Sequence, residues 1–152
     1  MSVTIRRSNP GDVEQIEQLY QEYMRIDASR KEIIRCAMDG EDSLIRVAEA
    51  ESKVVGLIHQ VFYADPLHAG KCSNLLFLYV SERFRRQGVG RLLLEAALKD
   101  AAEKGIIEVH VSTRASNRTA IRLYEGSGFE YAGPLFEHNP PKEAPSPSSR
   151  MS

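Results

Sequence analysis

The sequence predicts an α/β fold on a mixed sheet, and three observations carry that prediction. Strand-like and helix-like patterns follow one another in the order βααβββαβαβ. An almost unbroken apolar run, Leu75 to Val80, leads through the turn Arg85-Arg86-Gln87-Gly88-Val89-Gly90 straight into a helical run, Arg91 to Lys104. A further strand pattern, Ile106 to Thr113, follows that helix, so the two strands should lie parallel.

Each element has its own warrant. Val3 to Arg6 alternates like a short strand, and Ser8-Asn9-Pro10-Gly11-Asp12 is turn chemistry that also offers helix caps. From Val13 the positions Ile16, Leu19, Tyr20 and Tyr23 recur at helical spacing, giving a helix to about Met24. A weaker helix runs from about Ser29 to Met38 with Ile33, Ile34 and Ala37 as its apolar side, and Asp39-Gly40 ends it. Ser43 to Ala50 and Lys53 to Tyr63 flank a short polar turn and read as a hairpin, followed by a loop from Ala64 to Lys71. Asn74 to Val80 has the pattern of a strand buried on both faces. The helix after the glycine turn carries Val89, Leu92, Leu93, Ala96, Ala97, Leu98 and Ala101, and Lys104-Gly105 stops it. Ser116-Asn117 opens a short helix to about Glu125, Gly126-Ser127-Gly128 breaks it, and Phe129 to Ala132 resumes extended structure. A single domain over residues 1–138 and a Pro/Ser-rich disordered tail over 139–152 are expected, since Pro140 to Ser152 holds four prolines and four serines.

Composition excludes several function classes. The chain has 152 residues, 42% hydrophobic and 27% charged, with 20 basic against 21 acidic residues and a net charge of -1. That balance gives no global field for nucleic acid or an anionic membrane. The bias is local: Arg83, Arg85, Arg86 and Arg91 crowd one turn. Cys36 and Cys72 have no metal-ligand spacing, so reduced thiols and no metal are expected. The N-terminus lacks the apolar core of a signal peptide, and no run is long enough to span a bilayer. A soluble, cytoplasmic protein is the expectation.

The turn at 85–90 carries the chemistry. A strand that ends in a glycine turn and feeds a helix gathers free backbone N–H groups at the positive end of the helix dipole. Gly88 and Gly90 let a ligand approach the main chain, and the arginines add fixed positive charge. A phosphate-bearing ligand fits. The turn comes late in the chain, unlike a dinucleotide-binding fingerprint, and lacks the Lys-Ser/Thr pair of a triphosphate loop.

With Arg85-x-x-Gly88-x-Gly90 after the fourth strand, and Ser116-Asn117 opening a helix that carries Tyr124, the chain resembles the GNAT superfamily of acetyl-CoA-dependent N-acetyltransferases over roughly Val3 to Glu137. The resemblance implies a mixed, mostly antiparallel sheet of six or seven strands with about four helices, the last strand reduced to at most Leu135 to His138. It implies acetyl-CoA as cosubstrate, its pyrophosphate on Arg85, Arg86, Gln87, Gly88, Val89, Gly90 and Arg91. It implies pantetheine along the backbone of Leu78, Tyr79 and Val80, with Asn117, Ala120 and Tyr124 lining the cofactor arm. The implied reaction is direct attack of a primary amine on the thioester, with the Val80 N–H holding the oxyanion and Tyr124 as general acid. It also admits a homodimer.

Two roles stay open. The place of the glutamate base found in some relatives is taken by Asn74, leaving Glu82, His59, His68, Asp65 or a water path. The acceptor is a small molecule or a peptide. Gln21 to Met38 and Ala64 to Lys71 would set that choice, and Glu22, Asp27, Asp39, Glu41, Asp42 and Asp65 could attract a cation. Arg114 to Phe129 is similar to the enzymes that acetylate the N-terminal alanine of a ribosomal protein, but Leu135-Phe136-Glu137-His138 stands where those enzymes carry paired tyrosines. The alternative reading is a non-catalytic module using Arg83 to Arg91 for nucleic acid, or sensing CoA.

Overall fold

The structure, a computed structural model, describes residues 2–25 and 29–142. The expected acceptor carboxylate Asp27 and most of the expected tail fall outside them. The chain forms two compact units, Met1–Asn117 and Arg118–Ser152.

In the first unit the order is β1 (Thr4–Arg7), a one-turn 3-10 helix (Pro10–Asp12), α1 (Val13–Met24), α2 (Lys31–Asp39), β2 (Ser43–Ala50), β3 (Lys53–Asp65) and β4 (Gly70–Val80). A second 3-10 turn (Glu82–Phe84), α3 (Val89–Glu103) and β5 (Glu108–Val111) follow. The sheet runs β1-β2-β3-β4-β5, antiparallel except for the parallel β4–β5 pair. The β3–β4 hairpin is longer than the sequence pattern suggests. Pairing continues through Tyr63–Cys72 to Asp65–Gly70, leaving only residues 66–69 as the turn.

The sheet is covered on both faces. Val13, Ile16 and Leu19 of α1 and Ile34 and Met38 of α2 share one core with Ile45 and Val47 of β2 and Val54 and Leu57 of β3. Val54 and Leu57 reach the same face because a bulge between Ala48 and Glu49 shifts the β2–β3 register. On the other face α3 buries Val89, Leu93, Leu94, Ala97 and Ala101. Each large aliphatic side chain buried this way contributes roughly 1.5–3 kcal/mol.

Among the described residues every buried side-chain polar atom has a partner. Asp100 of α3 accepts from Arg46 of β2 at 2.5 and 2.7 Å. Buried Gln60 donates to the Ala97 carbonyl at 3.0 Å and accepts from Ser73 Oγ at 2.8 Å, so one amide ties β3, β4 and α3 together. Asn9 and Asp12 form a capping box, and the Arg6 fork on Asp12 (2.8 and 2.9 Å) holds that carboxyl below the usual aspartate value.

The second unit contains α4 (Arg118–Gly126). It ends in a left-handed cap. Gly128 has φ 94°, Phe129 N donates to the Tyr124 carbonyl at 3.0 Å, and the Phe129 ring meets Tyr124 edge-on at 5.7 Å. The expected strands at Phe129 to Ala132 and Leu135 to His138 do not form, so the sheet has five strands among the described residues, not six or seven. Pro134 and Pro140-Pro141, which lack N–H donors, bound these short stretches, and Tyr131, Leu135 and Phe136 lie largely exposed.

His59 yields a stability prediction. It is half-buried, bonded to Ser43 Oγ through Nε2 at 2.7 Å, and burial pushes its pKa below the ordinary 6.5. Below 6.5 the unfolded chain therefore binds the proton more readily, and stability present above that pH is lost as pH falls through the lower folded value. Urea unfolding at about pH 7.5 and about pH 5.5 should show an acid loss that His59→Gln lacks. An equal loss in both proteins would remove His59 as its source.

Candidate functional site

The main chain of β4 changes its neighbours partway along. Its pairing with β5 covers Cys72 to Leu75 only, while pairing with β3 continues to Val80. From Leu76 onward the β5-side edge has no strand partner among the described residues. At that same residue the register slips: His59 faces Phe77 and Gln60 faces Leu75, which leaves Leu76 as a bulge, half-exposed. The bulge reverses the side-chain alternation. Ser73 points to the α3 face, where it meets Gln60, whereas Phe77 and Tyr79 point to the α1 face and pack on Tyr20 and Tyr23.

Which backbone groups face the open edge follows from the ladder. Ser81 N donates to the Val55 carbonyl at 2.8 Å, so Ser81, Tyr79 and Phe77 turn their main chain to β3. Leu78 and Val80, in the alternate pairs with Ile58 and Gly56, turn theirs the other way. The Val80 carbonyl is taken by Arg85 Nε at 2.9 Å, and its N–H faces the open side. Gly56 is needed opposite: a Cβ there would sit 3.0 Å from the Tyr79 carbonyl and 3.2 Å from Leu93 Cδ1.

The turn after β4 presents the second part. Arg85, Arg86, Gln87, Gly88 and Arg91 are exposed, and Val89 is buried as the anchor of α3. Arg86 (φ 62°) and Gly88 (φ 81°) adopt left-handed backbone, and Gly88 is the α3 N-cap with no side-chain cap bond. A Cβ at Gly88 would meet nothing within 4 Å, so the space above the helix N-terminus is open. Helix starts of this kind favour anions. Arg85 is held in place by Val80 and by the Tyr79 ring at 5.2 Å, while Arg83 lies over Phe84 and 3.7 Å from Glu51.

A carboxylate that the motifs do not single out sits at the same end of β4. Glu22, near the end of α1, accepts from Tyr79 OH at 3.0 Å, from Ser81 Oγ at 3.3 Å and from Glu82 N at 3.4 Å. Burial, with Glu22 beside it, pushes the Tyr79 hydroxyl up. Tyr20, Tyr23, Phe77 and Tyr79 form one aromatic wall, Tyr20 and Phe77 stacking at 4.4 Å. Its signal in the sequence is a pair of periods: Phe77 and Tyr79 two apart on a strand, Tyr20 and Tyr23 three apart on a helix.

The remaining sequence candidates separate. Glu82 is exposed in the 3-10 turn directly after Val80. His59 pairs with Phe77 and is bonded to Ser43. Asp65 and His68 stand beside Gly70, at the opposite end of β4 from Val80, roughly 30 Å along the strand. Asn74 faces Val61 and His110 in the sheet. In the second unit Ala120 and Tyr124 share a face of α4 at i, i+4, with Asn117 just before the helix. Tyr124 is buried, and that burial raises its hydroxyl pKa above the ordinary 10.

No helix among the described residues is long and apolar enough to cross a membrane. Residues 12–129 match the model of the Acetyltransferase (GNAT) family. N-acetyltransferase family 8 member 7 of Mus musculus is 35% identical over 105 residues, 69% of this chain and 46% of that protein. N-acetyltransferase 8 of Homo sapiens is 31% identical over 113 residues, 74% of this chain and 50% of that protein. The chain thus spans about half the length of the curated relatives it matches. Among solved structures, AAC(6')-Iy in complex with the bisubstrate analog CoA-S-monomethyl-acetylneamine superposes with TM-score 0.80 at 17% identity, covering 91% of this chain and 98% of that one. At that identity the likeness speaks for the fold alone. The match over most of its length makes this chain a member of the GNAT acetyltransferase family.

Proposed function

We propose that this chain is an N-acetyltransferase that moves an acetyl group from acetyl-CoA to a primary amine by direct attack. The observation that carries the reading is the unpaired β4 edge from Leu76 to Val80, continuous with an uncapped helix N-terminus at Gly88. An extended, amide-bearing arm can add to such an edge as a further strand would, and a pyrophosphate suits the helix start. The CoA-bearing analog held by AAC(6')-Iy supports acetyl-CoA as the donor.

Each residue then has a task. The N–H groups at 85–91 and the arginine charges hold the pyrophosphate, and the Leu78 and Val80 main chain aligns the arm. Val80 N–H would stabilise negative charge on the acyl oxygen, and Arg85 bonds the Val80 carbonyl in the next peptide along. An alkylamine is under about one part in a thousand neutral at pH 7, so its proton must leave. Glu22 fits that need better than Glu82, His59, His68 or Asp65. Its carboxylate sits beside Ser81 at the Val80 end, can hold the ammonium and can pass the proton to solvent. Asn117 and Ala120 follow the family pattern as contacts of the cofactor arm. Tyr124, on the same pattern, protonates the departing thiolate, and its raised pKa keeps that proton available.

Three outcomes are expected. Tyr124→Phe should lower kcat about 100-fold with acetyl-CoA affinity nearly intact, and the wild-type alkaline fall in kcat should lie above pH ~10. Affinity loss at unchanged turnover would reassign Tyr124 to packing. Glu22→Gln should lower kcat/KM for the amine about tenfold, leaving acetyl-CoA binding unchanged in calorimetry. An unaltered kcat/KM would remove Glu22 from the acceptor site. Gly88→Glu should abolish acetyl-CoA binding, since it places a side chain and a negative charge over the helix start; normal binding would move the phosphate site elsewhere. Binding without turnover on any of a panel of primary amines, read as CoA release, would favour the CoA-sensing alternative.

A further inference from the structure

At the end of the sheet away from the proposed acetyl site, the β3–β4 turn and the start of β5 bring together side chains that the acetyl transfer does not use. One donor atom each from Asp65, His68 and Cys72 lies within 4.8 Å of the others. His68 Nδ1 is 2.6 Å from Asp65 Oδ2, and Cys72 Sγ, fully buried, is 4.0 Å from that same oxygen. The other carboxylate oxygen of Asp65 accepts from Leu67 N at 3.0 Å, which fixes the orientation of the group. On its far side His68 Nε2 is 3.0 Å from Glu108 Oε2.

A further layer holds the first in position. His110 Nε2 lies 3.0 Å from Glu108 Oε1, and the Tyr63 hydroxyl lies 3.2 Å from His110 Nδ1. Cys72 and Glu108 are register partners in the first rung of the parallel β4–β5 pair. Among the described residues no lysine or arginine pairs with Asp65 or Glu108. The charged groups that meet the two carboxylates are imidazoles, and the Cys72 thiol faces Asp65.

We propose that Asp65, His68 and Cys72 bind a divalent transition metal of the zinc type, with Glu108 holding the far side of the His68 ring. A thiolate, an imidazole and a carboxylate form a mixed set that suits zinc and not calcium or magnesium. With metal–ligand lengths of about 2.0 Å to N or O and about 2.3 Å to S, tetrahedral donor atoms lie roughly 3.3–3.6 Å apart. The separations here, from 2.6 to at most 4.8 Å, bracket that range, so small side-chain shifts close the set. Glu108 then acts as the outer partner that orients the ligating His68, and His110 and Tyr63 hold Glu108 in turn. The ion would fix the β3–β4 turn, and the His68–Glu108 contact would carry that order to β5.

Cobalt titration of the full chain tests this, because a thiolate bound to Co2+ gives a charge-transfer band. Wild type and Cys36→Ser should saturate that band at one equivalent, and Zn2+ should bleach it. His68→Ala, exposed enough to leave the fold intact, should bind Co2+ at least ~10-fold more weakly. No band in wild type would overturn the site. So would a band that survives in His68→Ala at full affinity, or one that disappears in Cys36→Ser, since the exposed Cys36 thiol would then be the ligand.

Discussion

Every backbone N–H and C=O needs a partner, and β4 is the strand on which that requirement is left open. It is paired along its whole length with β3, yet β5 accompanies it only as far as Leu75. An unsatisfied buried amide costs roughly 1–3 kcal/mol, so an edge like that of Leu76 to Val80 persists only where water or a ligand completes it. The bulge at Leu76 makes the opening usable. Without it Phe77 and Tyr79 would join Ser73 and Leu75 on the α3 face; with it they build the aromatic wall against α1, and Leu78 and Val80 offer their amides sideways.

Charge is arranged around that opening in the same way. Arg85 is fixed on the Val80 carbonyl, and Glu22 is fixed by Tyr79, Ser81 and the Glu82 amide. Opposite charges therefore stand near the end of one strand, each held before any ligand arrives. Gly88 adds the unshielded start of α3. Preorganisation of this kind lets electrostatic stabilisation act without reordering cost at the moment of reaction. In the proposed account the positive side takes the donor's phosphates and the negative side takes the acceptor's ammonium.

Much of this was legible in the residues because it depends on local pattern. The order of elements through β5, the glycine turn and the α3 apolar stripe all follow from periodicity and turn chemistry. The parallel β4–β5 pair follows from the intervening helix. What could not be read depends on register. Nothing in Leu75-Leu76-Phe77-Leu78 marks Leu76 as the bulged residue, since every position in the run is apolar. Glu22 looks like a surface charge until the fold brings α1 to the end of β4. Asp65, His68 and Cys72 lie close in sequence, but with 64–71 read as an open loop their spacing carries no geometry; the extended hairpin gathers them, and the β4–β5 rung brings Glu108. The strands expected after Phe129 failed for a local reason that carried less weight than their aromatic content. Gly133-Pro134 and Pro140-Pro141 bound them closely and keep them short, and alternation alone cannot supply a ladder partner.

The central claim is that the outward amides of Leu78 and Val80 receive the donor arm. Nitrogen-15 NMR of the chain titrated with acetyl-CoA reads those amides one by one, with Tyr79 as an internal control because its N–H already pairs with β3. The account predicts large shifts and slowed hydrogen exchange at Leu78 and Val80, with Tyr79 nearly unmoved. Saturable acetyl-CoA binding that leaves Leu78 and Val80 unchanged would contradict it.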